Sequence, residues 1–166
     1  MSVRALVAGV VLAIAAPSSV RADGCPASTV DIADWPIVRS ARVPGFTLRL
    51  PRSFARDSAP SSQSPTANAR WTDAARGRFS MSHPGASATP ASLPTLDSTT
   101  SVRCDTSIGA ATATIVTYAD GPSAWVVHAH IRWPDGETVE VRADAASRAH
   151  VDLLVAAVRT IRRTGA

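Results

Sequence analysis

The chain has 166 residues, 17 basic and 13 acidic side chains, a formal net charge of +4 and 45% hydrophobic residues. That length supports one domain with a real core. Every basic side chain is an arginine, and the small surplus excludes a chain that would hold polyanions through net charge alone.

The first segment reads as an export signal. Arg4 gives a short positive start, and Ala5 to Ala16 is an uninterrupted apolar run. A signal core needs roughly 7–15 such residues, whereas a spanning helix needs about 20. Pro17, Ser18 and Ser19 end the run, and Val20-Arg21-Ala22 presents a cleavage site after Ala22. Residues 1–22 are therefore expected to be a signal peptide, with residues 23–166 as a single secreted or periplasmic domain and no transmembrane span after cleavage. Asp23-Gly24 before Cys25 does not resemble a lipobox. Cleavage removes Arg4 and Arg21 and no acid, so the net charge falls to +2. In an oxidising compartment the two cysteines, Cys25 and Cys104, are expected to form a disulfide.

Further along, Trp35-Pro36 forbids a helix through that point, leaving short extended or one-turn pieces. Phe46, Leu48 and Leu50 alternate with polar residues between Gly45 and Pro51, the pattern of a half-buried strand. Residues 57–68 and 84–100 are Pro- and Ser-rich and are expected to be mobile loops. Between them, two short strands fit around Trp71 and Phe79, joined by a turn at Gly77. A longer strand is expected from Ile108 to Tyr118, closed by Asp120-Gly121-Pro122.

The next stretch, 125–143, carries the strongest local signal. Trp133-Pro134-Asp135-Gly136-Glu137 suits a three-residue hairpin loop with Gly136 in the left-handed position. Pairing 133 with 137 sets Ile131 opposite Val139, Ala129 opposite Val141 and Val127 opposite Ala143. The other face then pairs Arg132 with Thr138, His130 with Glu140 and His128 with Arg142. A slip by one residue would scramble both faces. Finally, Val151, Leu154, Val155, Val158 and Ile161 lie at helical spacing after a cap at Asp144 or Ser147. That helix is expected to run to about Arg162 and to cover the Trp125/Trp133 face. The fold class is thus α+β: about six mainly antiparallel strands packed by a C-terminal helix.

Chemical motifs are scarce. There is no nucleophile elbow, Walker loop, dinucleotide fingerprint, C-x-x-C or H-E-x-x-H, so no catalytic residue and no cofactor is assigned. His128-x-His130 has metal-ligand spacing on one strand face, but zinc needs three or four ligands and the sequence does not supply them. His83 and His150 belong to other elements. Asp135 and Glu137 read as turn residues. The arginines of 39–78, interleaved with Trp71 and Phe79, could be read as a nucleic-acid surface, but export argues against that partner. What remains is a polar sheet face carrying Thr47, Arg49, His128, His130, Arg132, Glu140 and Arg142. Of these, Arg49, His128, His130, Arg132 and Arg142 are the candidate ligand-binding residues. The expectation is an exported, non-enzymatic accessory or binding protein that engages an anionic ligand or envelope component. The alternative is a small extracytoplasmic enzyme, metal-assisted through His128 and His130.

The segment Phe46-Thr47-Leu48-Arg49-Leu50-Pro51-Arg52-Ser53-Phe54 resembles the opening of PsbP-like domains, and the long hairpin and closing helix are also similar. Over residues 40–163 the resemblance implies an antiparallel sheet layered with helices. It implies no functional residue, because the family serves diverse binding and accessory roles.

Overall fold

The computed structural model describes residues 25–57, 68–83 and 101–164. The expected signal peptide lies outside them, as do the two expected loops apart from their ends Asp57 and Asn68.

Two antiparallel sheets and one helix make the fold. The smaller sheet has β2 (Phe46–Arg49) at its centre, flanked by β1 (Ile37–Arg39) and β10 (Arg162–Arg163). The larger sheet has seven strands in the order β3 (Ala55–Arg56), β4 (Asn68–Asp73), β5 (Gly77–Ser82), β9 (Thr138–Ala145), β8 (Trp125–Arg132), β7 (Ala111–Ala119) and β6 (Ser101–Ile108). The helix α1 (Arg148–Arg159) follows β9. The α+β class with mainly antiparallel pairing is present; among the described residues the larger sheet has seven strands, close to the expected six or so, and the smaller sheet adds three.

The β8–β9 hairpin has the register that the sequence demands. Ile131 faces Val139, Ala129 faces Val141, Val127 faces Ala143, and His128 faces Arg142. Its loop closes through the Trp133 N–H on the Glu137 carbonyl at 2.9 Å and the Gly136 N–H on the Trp133 carbonyl at 3.0 Å. Gly136 has φ 90°, the conformation that Gly adopts without steric cost.

The expected strand from Ile108 to Tyr118 is instead the second arm of another hairpin. Gly109 and Ala110 form a two-residue loop, with Ile108 paired to Ala111. Gly109 has φ 62°, the positive value that such a loop needs at its first position. Residues 101–108 are therefore strand, with Cys104 and Ile108 buried and Arg103 and Asp105 exposed.

One face of the larger sheet is the core. Phe79, Met81, Ile115, Val127, Ala129, Ile131, Val139, Val141 and Ala143 are each 3% exposed or less. Trp71 and Phe79 meet edge-on across β4 and β5 with ring centroids 6.2 Å apart. Each such large apolar side chain stabilises the fold by about 1.5–3 kcal/mol relative to exposure. The helix covers this face through Val151, Leu154, Ala157 and Val158, and it also reaches β2. Arg148 lies 4.8 Å from the Trp125 ring centroid, a cation–π contact that closes the helix start over the sheet. Phe46 of β2 packs on Trp133, 5.2 Å between centroids, so the smaller sheet covers the other end.

Ser147 is the N-cap by backbone, but its hydroxyl pairs with His150 Nδ1 at 3.1 Å rather than with a backbone N–H. The helix stops at Arg159, short of the expected Arg162. The Thr160 hydroxyl donates back to the Ala157 carbonyl at 2.6 Å, and residues 162–163 leave to pair with β2. Cys25 and Cys104 form the expected disulfide across 79 residues, tying the segment before β1 to the edge strand β6.

Candidate functional site

Alternation along the strands sorts side chains onto two faces, and the pairing fixes which of them are neighbours. On the face away from α1, one file crosses the larger sheet through Arg70, Ser80, Arg142, His128, Val116 and Arg103, each register partner of the next. Three arginines and a histidine thus lie along a line perpendicular to the strands. Five strand spacings of about 4.8 Å make that line roughly 24 Å long. Arg142 and Arg103 are exposed, Arg70 and His128 are half-buried, and Val116 is buried between them.

The adjacent file contains Asn68, Ser82, Glu140, His130, Thr114 and Asp105. Arg132 projects one file further on, exposed and paired with Thr138. Acidic groups partly balance the basic file: Arg142 lies 3.2 Å from Asp144 and 3.7 Å from Asp120, and Arg70 lies 4.0 Å from Asp57. At these exposures such pairs are worth well under about 1 kcal/mol each, weak enough for an incoming anion to displace.

His128 is held below the ordinary imidazole pKa. Burial is the largest cause; the Glu140 carboxylate opposes it, while Arg142 and His130 add to the lowering. His130 Nε2 and the Thr138 hydroxyl are shielded from solvent and have no hydrogen-bond partner.

His128, His130, Arg132 and Arg142 therefore share one face, as their alternation requires. Arg49 does not join them. It belongs to β2 in the smaller sheet, between β1 and β10. Its Nη1 donates to the Trp35 carbonyl at 2.8 Å, and its backbone N–H donates to the Thr160 hydroxyl at 2.8 Å. The sequence shows the alternation of β2 but not the sheet to which β2 belongs, and that choice moves Arg49 away from the hairpin.

Arg49 instead enters a cleft of about 330 Å³ lined by Ile32, Ile37, Arg159, Thr160 and Arg162. Arg70 and Arg103 on the outer face, and Arg159 and Arg162 in the cleft, are the residues that sequence reasoning missed. Strand alternation marks Arg70 once β4 is drawn from Asn68, and Arg103 once β6 is recognised. Nothing local marks the cleft, because its arginines come from three elements.

His128 and His130 gain no metal-binding set: among the described residues no group of three or more His, Cys, Asp or Glu is placed to hold a metal ion. Asp135 and Glu137 are engaged structurally. Arg163 pairs with Asp135 and, at 2.8 Å, with Glu137, and His83 Nε2 lies 3.1 Å from Glu137. This cluster fastens the hairpin turn to β10. Among the described residues no helix is long and apolar enough to cross a membrane. No protein-family model matches the chain, and no curated protein matches it significantly.

Proposed function

We propose that the chain is an exported, non-catalytic accessory or binding protein, secreted or periplasmic, whose outer sheet face engages an anionic envelope component. The observation that carries this reading is the file that holds Arg70, Arg142 and Arg103, three arginines along one line on the face opposite the core. A repeating polyanion laid across the strands meets an arginine at intervals of two and three strands, which a single anion cannot exploit. Two further facts support the reading. The Cys25–Cys104 disulfide suits an oxidising compartment. The pairs that Arg142 makes with Asp144 and Asp120, and Arg70 with Asp57, are weak enough for an incoming anion to displace. The likeness to PsbP-like domains belongs to the same proposal, resting on the Phe46–Phe54 segment and the order of elements.

The test is binding of the purified chain to a linear polyphosphate at several salt concentrations. The expected affinity falls steeply from 0.05 to 0.5 M salt, because the Debye length shrinks from about 14 Å to about 4 Å. Replacing Arg103 and Arg142 together by Gln lowers affinity by about tenfold, as loss of two charge-assisted contacts requires. Affinity that ignores both salt and these substitutions overturns the proposal. Stoichiometric zinc that disappears with His128→Ala/His130→Ala would instead favour the metal-assisted enzyme.

A further inference from the structure

The cleft between β1, β2 and the end of α1 is separate from the outer sheet face, and three arginines line it. Arg49 comes from β2, Arg159 from the last turn of α1 and Arg162 from β10. Among the described residues none of the three has a carboxylate within 4.0 Å, whereas Arg70, Arg76, Arg142 and Arg163 each do. Asp31, on the neighbouring segment, turns its carboxylate onto the Ala33 N–H at 2.9 Å.

Each guanidinium is held in place by backbone carbonyls. Arg49 donates to Trp35, Arg159 Nη2 to Pro26 at 2.8 Å, and Arg162 Nη1 to Arg159 and Ile161 at 2.8 Å each. A guanidinium has five N–H donors, so each keeps donors beyond those that position it. Among the described residues Arg159 Nε has no hydrogen-bond partner.

Arginines at a helix C-terminus ordinarily serve the helix dipole, and Arg159 and Arg162 do so in part. That role does not account for the whole cluster. A helix end carries roughly half a negative charge, so three guanidiniums leave the cleft strongly positive. Arg49 arrives from a different element, and the stranded Nε of Arg159 is not aimed at any helix carbonyl within bonding range. The remaining wall mixes Thr47 and Thr160 with Ile32, Ile37 and Leu48, and Ile37 is 57% exposed, a large apolar side chain left in solvent.

We propose that this cleft binds a phosphate or sulfate ester, with the oxyanion on Arg49, Arg159 and Arg162 and an apolar substituent against Ile32 and Ile37. The volume of about 330 Å³ suits one small ester or one lipid headgroup, being at the low end of small-molecule sites.

Calorimetric titration with phenyl phosphate and with inorganic phosphate, and sedimentation with phosphatidylglycerol or phosphatidylcholine vesicles, test the proposal. A free ester as the natural class predicts that phenyl phosphate binds at one site, more tightly than inorganic phosphate. A lipid headgroup predicts binding to phosphatidylglycerol vesicles but not to phosphatidylcholine. In either case Arg49→Gln/Arg162→Gln weakens binding by about tenfold or more. Ile37→Ser weakens phenyl phosphate or vesicle binding while sparing inorganic phosphate. Arg52→Gln, an exposed arginine that belongs to neither site, leaves phenyl phosphate binding unchanged. If the double cleft variant does not fold, as circular dichroism would reveal, the exposed Arg162→Gln alone serves. Absence of binding both to phenyl phosphate and to phosphatidylglycerol vesicles overturns the proposal, as does phenyl phosphate or vesicle binding that is indifferent to Arg162.

Discussion

Two single residues carry more of the fold than their size suggests. Gly77 starts β5 opposite Ala145 with φ 126°, and a Cβ placed there would lie 1.9 Å from the Asp144 carbonyl oxygen. Neither the backbone conformation nor the space admits a side chain. Gly77→Ala is expected to destabilise by about 3 kcal/mol or more, combining φ strain with overpacking against backbone. Urea denaturation should show the midpoint falling with the slope unchanged. Nearby, Asp73 is 7% exposed, and its carboxylate is held well below the usual range. The Ser53 hydroxyl is the largest cause, with Arg76 and the Ala75 and Arg76 N–H groups adding to it against burial. A depressed carboxylate pKa contributes stability that is complete above the unfolded value of about 3.9 and is lost as pH falls below it. Stability measured from pH 6 down to pH 2 should therefore drop in that lower window, and Asp73→Asn should flatten the drop. Equal acid sensitivity in both proteins would show that Asp73 is not responsible.

At the level of elements, legibility followed the distance over which each pattern is decided. The β8–β9 hairpin was fully readable because its turn residues and both faces lie within about twenty positions and check one another. The strands around Trp71 and Phe79 and the helix at Val151–Val158 were readable for the same reason. The hairpin β6–β7 was half missed. Val102, Cys104, Thr106 and Ile108 alternate as a strand should, but the low-complexity stretch before them and Gly109 within the expected strand hid the turn. The short strands β1, β3 and β10 have two or three residues each, too few for any period to register. They exist because partners from elsewhere supply their hydrogen bonds. The candidate sites divide along the same line. The outer face follows from alternation in a recognised hairpin, whereas the cleft depends on Arg49, Arg159 and Arg162 meeting across more than a hundred residues.

Across the whole molecule, the disulfide is the longest covalent constraint. It fixes the segment that supplies the Pro26 carbonyl to Arg159, so the helix end and the edge strand β6 are linked through it. Closing 79 residues contributes about 4 kcal/mol in the chain-entropy model. Cys25→Ser/Cys104→Ser, or reduction of the native protein, should lower the thermal midpoint by about 8–16 °C, at roughly 2–4 °C per kcal/mol for a domain of this size. Calorimetry with and without reductant measures this. A midpoint that does not move would mean that the sheets alone determine stability.

The position of β2 has a consequence for the order in which the molecule is assembled. Its two neighbours come from opposite parts of the chain, β1 from residues 37–39 and β10 from residues 162–163. A polypeptide delivered N-terminus first can zip its consecutive hairpins and oxidise its cysteines while the remainder is still emerging. It cannot seat β10, nor bring Arg162 beside Arg49, until residue 163 has arrived. The cleft therefore cannot be complete before residue 163 is present, however early the larger sheet forms.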